Sequence, residues 1–375
     1  MTINRVCSSC FDDLDLREWI RDQNGPRGCD ACRRHDSPTC KIDDLCDFID
    51  HCLRQYWGSA VNQLPYESAE GGYQGVTWTT YELLQEEIEL SLSRDRDDCL
   101  LDAIIDGIEE EIWCDYDWLS LDTDVALATS WDRFCEIVKH KRRFFFHAQG
   151  NDSHDSFTPA TLLNEIAAIS LNLDLIGVVP EGTKLWRART DLARKKNTVP
   201  SDFGPAPKHL ALQSNRMNPP GVPMLYLAST AKTALLETRE DEGRVGRWIA
   251  ERPLRVLDLR NLPAIPGHFS NTDRQHRLTI RFLHHFANDI MRPVARDNTV
   301  HLEYLPSQVI TEYFKDYDFA DGRLDGIAYG STINPRGWNL AVFAEPVDLG
   351  LEEPSWWNRT KPWFRFGGVK SVRMK

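Results

Sequence analysis

The stretch from Gln213 to Arg239 reads QSNRMNPPGVPMLYLASTAKTALLETR. Asn218, Pro219, Pro220 and Gly221 predict a tight turn, Met224 to Leu227 a buried strand, and Thr230 to Arg239 a helix. Ser229 is expected to cap that helix by accepting a free N–H of its first turn. Glu237 then falls near the helix's C-terminal end, where the backbone dipole disfavours negative charge. A carboxylate in that position is either simply solvated or held there for chemistry. A second group able to do chemistry lies near the start of the chain, where Cys7-x2-Cys10 and Cys29-x2-Cys32 form two short pairs. Each pair offers two thiolates from one knuckle, and the intervening loop can close four sulfurs into a tetrahedron, the pattern of a structural zinc site. Four cysteine ligands leave no open position, so such a metal would stabilise rather than catalyse. Cys46 and Cys52 are read as small buried hydrophobes on a helix.

The elements that must position these groups are bounded by composition. The chain has 375 residues, 41% of them hydrophobic, which suffices for two domains or one large one. A net charge of -13 argues against broad nucleic-acid binding and leaves room only for a local basic patch. No apolar run is long enough for a bilayer, and MTINRVCSSC has no apolar signal core, so a cytoplasmic, non-membrane location is expected.

Amphipathic periodicity predicts helices over Tyr81 to Leu92, Leu100 to Trp113 and Trp131 to Phe146. Pro65 to Gly75 reads as a loop, and the polar run His147 to Phe157 as a linker. Thr158 and Pro159 then open a helix reaching about Leu171. From Lys184 the pattern changes to short strands at Lys184 to Ala188, Met224 to Leu227, Arg255 to Leu259, Gly326 to Tyr329 and Asn339 to Phe343. Helices are expected among them at Arg274 to Asn288 and Ser307 to Phe314. Several strands with few helices indicate an α+β fold. The division expected is a mostly α-helical domain with a zinc knuckle over 1–150, and a second domain over 151–375 with its core at 184–345.

The second domain resembles the RES family, named for Arg, Glu and Ser. The resemblance rests on motifs kept in order: Trp186-Arg187-Ala188-Arg189, the turn from Asn215 to Gly221, Tyr226-Leu227-Ala228, Thr233 to Glu237, Tyr304 to Gln308 with Glu312, Asp325 to Ser331, and Asn339 to Phe343. Met217 stands where the family often has an aromatic residue, and Gly330 where proline is common. The region before Trp131 is similar to a HEPN-like domain found ahead of RES domains. What the RES resemblance implies is an ADP-ribosyltransferase-like split sheet around an NAD cleft. NAD would be a consumed substrate, and an antitoxin that covers the cleft a typical partner. A homo-oligomer is also expected.

That chemistry suits the residues present. Nicotinamide leaves a ribose carbon that becomes cationic, as in glycoside hydrolysis. Glu237 is the candidate carboxylate to stabilise that charge. Arg187, and next Arg216, match a diphosphate with planar donors. Tyr226 would stack or bond a ribose hydroxyl, Ser331 would place the sugar or the nicotinamide amide, and Gln308 completes the expected NAD-binding set. Each has a plainer reading: Arg187 on a strand surface, Tyr226 in the core, Ser331 in a turn, Glu237 paired with Arg239 or Arg244. Three further readings stand beside NAD cleavage in a toxin–antitoxin or phage-defence system. The first is ADP-ribose transfer to protein. The second is a HEPN-type RNase using Arg142-x4-His147, which alone would bring in nucleic acid. The third makes the helical domain a sensor or docking module restraining the second domain.

Overall fold

A computed structural model describes residues 3–93, 99–108, 111–145, 151–191, 197–294, 299–353 and 361–374. The chain divides into two compact units, one of residues 1–125 with 264–281, the other of 126–263 with 282–375. The first unit gathers helices Leu14–Asp22, Ile42–Leu53 and Cys99–Gly107 around a core of Val6, Leu16, Ile20, Leu45, Ile49, Leu100 and Ile104. Asp13 caps its first helix by accepting from the Leu16 N–H. Cys46 and Cys52 lie inside this core, and burial pushes their thiols up, to about 12 and about 11.

Two helix expectations here need correction. The helix expected to reach Trp113 stops at Gly107, and Ile112–Asp115 is a strand paired with Trp57–Ser59 and Trp78–Thr79. The Trp113 indole, fully buried, donates to Thr80 Oγ1 across that small sheet at 3.0 Å. The helix expected over Tyr81 to Leu92 runs only from Thr80 through a widened turn at Leu83–Glu87, and Glu89 then takes a left-handed φ of 55°. The loop expected over Pro65 to Gly75 contains a minimal hairpin, Tyr66–Glu67 against Gly72–Tyr73.

The second unit is built on one eight-stranded sheet. Its strands are β1 (Ile176–Val179), β2 (Lys184–Arg189), β3 (Leu225–Ala228), β4 (Glu242–Ala250), β5 (Leu254–Asp258), β6 (Gly326–Gly330), β7 (Trp338–Val342) and β8 (Phe364–Arg373). They lie in the order β8-β4-β2-β3-β7-β6-β5-β1, antiparallel except for the β5–β6 pair. Alternation divides the core between the two faces. Leu257, Ile327 and Ala341 meet Phe282, Phe286, Ile310 and Phe314 on one side, whereas Val256, Ala328, Leu340 and Val342 meet Phe203, Trp248 and Phe364 on the other. Helices α1 (Thr123–Glu136), α2 (Pro159–Asn172), α3 (Ala231–Leu236), α4 (Arg274–Met291) and α5 (Leu305–Asp316) complete the fold, which is α+β as expected.

Helix α1 continues through a widened turn at Ile137–Lys141 and ends there, short of Phe146. Its Trp131, Phe134 and Val138 are buried in the same core as α2 and the residues of α4 from Phe282 onward. The Trp131 indole donates to Asp289 Oδ2 at 3.0 Å, and Lys139 pairs with Glu303 at 2.8 Å. Thr158 caps α2 with Pro159 in its first turn. Within the expected linker, Asp152 is ordered: its carboxylate accepts from Thr158 N and Thr161 Oγ1.

Candidate active site

Strands β2 and β3 are joined by a single residue pair, Ala228 opposite Trp186, whereas every other neighbouring pair of strands is joined over three or more positions. The sheet therefore parts almost completely along that seam. A cavity of about 300 Å³ opens there, lined from one side by Trp186, Arg187, Ala188 and Arg189 and from the other by Tyr226, Leu227 and Ala228.

The chain after β3 delivers Glu237 to this cavity. Thr230, not Ser229, caps α3: its Oγ1 accepts from the Thr233 N–H at 3.0 Å. Ser229 instead accepts from the Trp338 N–H at 3.0 Å, tying the turn to β7. Helix α3 is under two turns long, so Glu237 sits directly after it and lines the cavity, half-buried. Its Oε1 accepts from Ser331 Oγ at 2.6 Å and from Asn339 Nδ2 at 2.7 Å. Ser331 follows the end of β6 and Asn339 lies at the start of β7, so the turn between these strands meets the end of α3. Glu237 is thus held by donors that partly offset the adverse helix dipole.

Arg187 carries the opposite charge. Its Nη1 is buried and has no hydrogen-bond partner among the described residues. Burial, and then the neighbouring Arg189, push its pKa down to about 9, which still leaves it a cation at neutral pH. Arg189 donates to the carbonyls of Asp202 and Gly204. Arg216 donates to the carbonyls of Ile290 and Arg292, at the negative end of α4, and lies over the Tyr304 ring. With Arg239, four arginines and one carboxylate line the cavity, together with Trp186, Tyr226, Tyr304 and Tyr329. In a chain of net charge -13 this is a local positive site, suited to an anion that carries planar rings.

The other expected site residues occupy different places. The Tyr226 hydroxyl donates to Asn218 Oδ1 at 2.6 Å and accepts from Met217 N, which pins the turn and leaves its ring to the cavity. That turn is built as its residues dictate: Gly221 takes a φ of 88° and Val222 N–H reaches the Pro219 carbonyl. Gln308 is buried off the cavity, its amide donating to Ser214 Oγ and to the carbonyls of Asn215 and Asn218. It holds the loop that carries Arg216. Ser331 also lies behind the lining, reaching the cavity only through Glu237. Asn339, Arg189 and Tyr329 were not assigned from sequence. Asn339 was detectable as an amide inside an apolar strand, where a polar side chain must find a partner. Arg189 was detectable as the residue two along from Arg187, on the same face.

In the first unit Cys7, Cys10, Cys29 and Cys32 converge, with all four sulfurs within 4.8 Å of one another. The separations Cys7–Cys10, Cys7–Cys32 and Cys10–Cys29 are 3.9, 3.6 and 3.6 Å. A tetrahedron with zinc–sulfur bonds of about 2.3 Å has edges of about 3.8 Å, so the cluster fits zinc. All four residues are buried, and a knuckle amide, Cys32 N–H, already points at Cys29 Sγ. Of the Arg142/His147 pair, Arg142 is exposed in extended backbone after the widened turn, and His147 lies outside the described residues.

Two family models match the chain, the HEPN/RES N-terminal domain 1 over residues 22–152 and the RES domain over 184–361. The chain is a RES-domain protein with an N-terminal HEPN/RES domain. Comparison with curated proteins and with solved structures gave no match. The RES match carries with it NAD-related chemistry in general, and it covers all of the seam cavity's lining residues. The N-terminal match extends to residue 152, yet α1 at its end is packed into the unit that holds the cavity. No helix among the described residues is long and apolar enough to cross a membrane.

Proposed function

We propose that the seam cavity of this RES domain binds NAD and cleaves its nicotinamide–ribose bond. The observation that carries this reading is the presence, on the walls of one cavity, of Arg187, whose buried Nη1 has no hydrogen-bond partner among the described residues, and of a half-buried carboxylate, Glu237. Leaving a buried cation unpaired is costly, and an anionic ligand removes the cost. The diphosphate meets Arg187, with Arg216 and Arg239 adding to the positive field. Glu237 faces the ribose of the scissile bond. The C–N bond breaks with its electron pair going to nicotinamide, which leaves neutral. The sugar carbon becomes cationic beside the carboxylate, and a nucleophile then adds to it. When water is that nucleophile, its oxygen bonds to the ribose carbon and one proton passes to solvent. Tyr226 and Tyr329 also line the cavity.

The same site accommodates transfer of ADP-ribose to a protein, because both reactions share the cationic transition state. In its biological setting the activity is that of a toxin or defence effector restrained by its N-terminal region or by a separate antitoxin. The test is nicotinamide release from NAD by the full chain. Glu237→Gln keeps size and removes charge, and turnover is expected to fall on the order of 10²- to 10³-fold. Adenine-labelled NAD separates the acceptors: label on protein marks transfer, and free ADP-ribose marks hydrolysis. Unchanged turnover in Glu237→Gln contradicts the role given to that residue.

A further inference from the structure

The Glu237 carboxylate is held by one oxygen only. Ser331 Oγ at 2.6 Å and Asn339 Nδ2 at 2.7 Å both reach Oε1, and among the described residues no hydrogen bond reaches Oε2. The direction of the serine bond is fixed by its surroundings. Ser331 Oγ accepts from the Asn334 N–H at 3.1 Å, so its single proton is free to go to Glu237. An amide nitrogen of Asn339 can only donate. Two donors on one oxygen restrain the carboxylate and leave the other oxygen without a hydrogen bond among the described residues.

The donors are themselves braced. Asn339 is buried at the centre of the sheet, on β7 between β3 and β6, opposite Ala228 and Tyr329. The loop that carries Ser331 is stapled by Ser331 N–H to the Gly337 carbonyl, Gly337 N–H to the Asn334 carbonyl, and Asn334 Nδ2 to Thr233 Oγ1 on α3. Gly337 is required there, because a Cβ would lie 2.4 Å from Thr233 Oγ1. The helix that ends at Glu237 and the loop that ends its hydrogen-bond chain are thus one braced assembly.

We propose that Asn339 and Ser331 are positioning residues that together clamp Glu237 Oε1, leaving Oε2 as the oxygen that faces the substrate. Ser331 then makes no contact with substrate of its own. The inference rests on the NAD reading for its kinetic consequence, but the clamp itself has a readout that needs no substrate.

Crystal structures of the wild type, Ser331→Ala and Asn339→Asp read the clamp directly. The expected result is a Glu237 carboxylate turned away from its wild-type plane in either variant. An unchanged carboxylate in both variants overturns the proposal, whatever the substrate. The kinetic arm follows nicotinamide release from NAD. Asn339→Asp preserves shape but sets an acceptor against Oε1, so kcat is expected to fall about 10²-fold, with KM for NAD within about threefold. Ser331→Ala is expected to lower kcat in the same way, and Ser331→Thr, which keeps the hydroxyl, to recover most of it. A rise in KM with kcat unchanged in Ser331→Ala overturns the proposal, because it marks a direct substrate contact. Wild-type protein that binds no NAD and releases no nicotinamide defeats the NAD reading, and the clamp is then judged on the crystal structures alone.

Discussion

Arg187 shows how a single side chain can be costly to the fold and useful to the site. Its Nη1 is buried with no hydrogen-bond partner among the described residues, and burial, then Arg189, push its pKa down to about 9. A cation whose folded pKa is depressed weighs on the fold fully below that value, and stability recovers as pH rises from about 9 toward its ordinary value. Arg187→Met is therefore expected to abolish NAD binding while raising the melting temperature of the ligand-free protein, by roughly 2–4 °C per kcal/mol relieved. Calorimetric titration and thermal melts of both proteins measure the two effects. A lowered melting temperature would mean that Arg187 has a partner in the fold.

At the scale of elements, the short helix α3 decides where the carboxylate stands. Thr230→Ala removes its cap, expected to cost about 1 kcal/mol, and frees the last turn that holds Glu237. Activity should fall more than the loss of stability alone accounts for, measured as kcat well below the melting temperature. Much of this architecture was legible in the sequence. The strands around Arg187, Tyr226, Val256, Ile327 and Leu340 announce themselves as short runs rich in apolar and aromatic residues, and the structure places strands at all five. What was not legible has physical reasons. β4 reads EGRVGRWIA, with two glycines and two arginines, and signals a strand poorly. Its Gly246 is needed because the Phe203 ring occupies the place of a Cβ, 2.4 Å away. β8 carries Gly367, Gly368 and several basic residues and lies at the sheet's edge, where burial leaves little pattern. Ser229 and Thr230 are adjacent and both able to cap, and only the hydrogen bond from Trp338 N–H decides between them. The role of Gln308 could not be read locally, since it depends on a loop some ninety positions away.

For the molecule as a whole, the boundary suggested by sequence motifs differs from the boundary set by packing. Residues 126–145 fall within the N-terminal family match but belong with the cavity's unit, through Trp131, Phe134 and Val138. A truncation that removes residues 1–150 exposes that core, and loss of soluble, cooperatively melting protein is expected. Two large aromatic side chains, Trp131 and Phe134, are buried there, each typically worth about 3–5 kcal/mol. A well-folded, active 151–375 fragment would contradict this. The cysteine cluster makes a separate prediction: one zinc per chain by elemental analysis, and a lowered melting temperature on chelation. Metal-free protein of undiminished stability would remove zinc from the account. The central claim, that Glu237 and Arg187 act together on one NAD in the seam of the sheet, is tested most directly by chromatography of NAD after incubation with the purified full-length chain. The account predicts nicotinamide appearing in step with NAD loss, and intact NAD when either Glu237 or Arg187 is replaced. NAD left whole by a folded wild-type chain that demonstrably binds it would contradict the account.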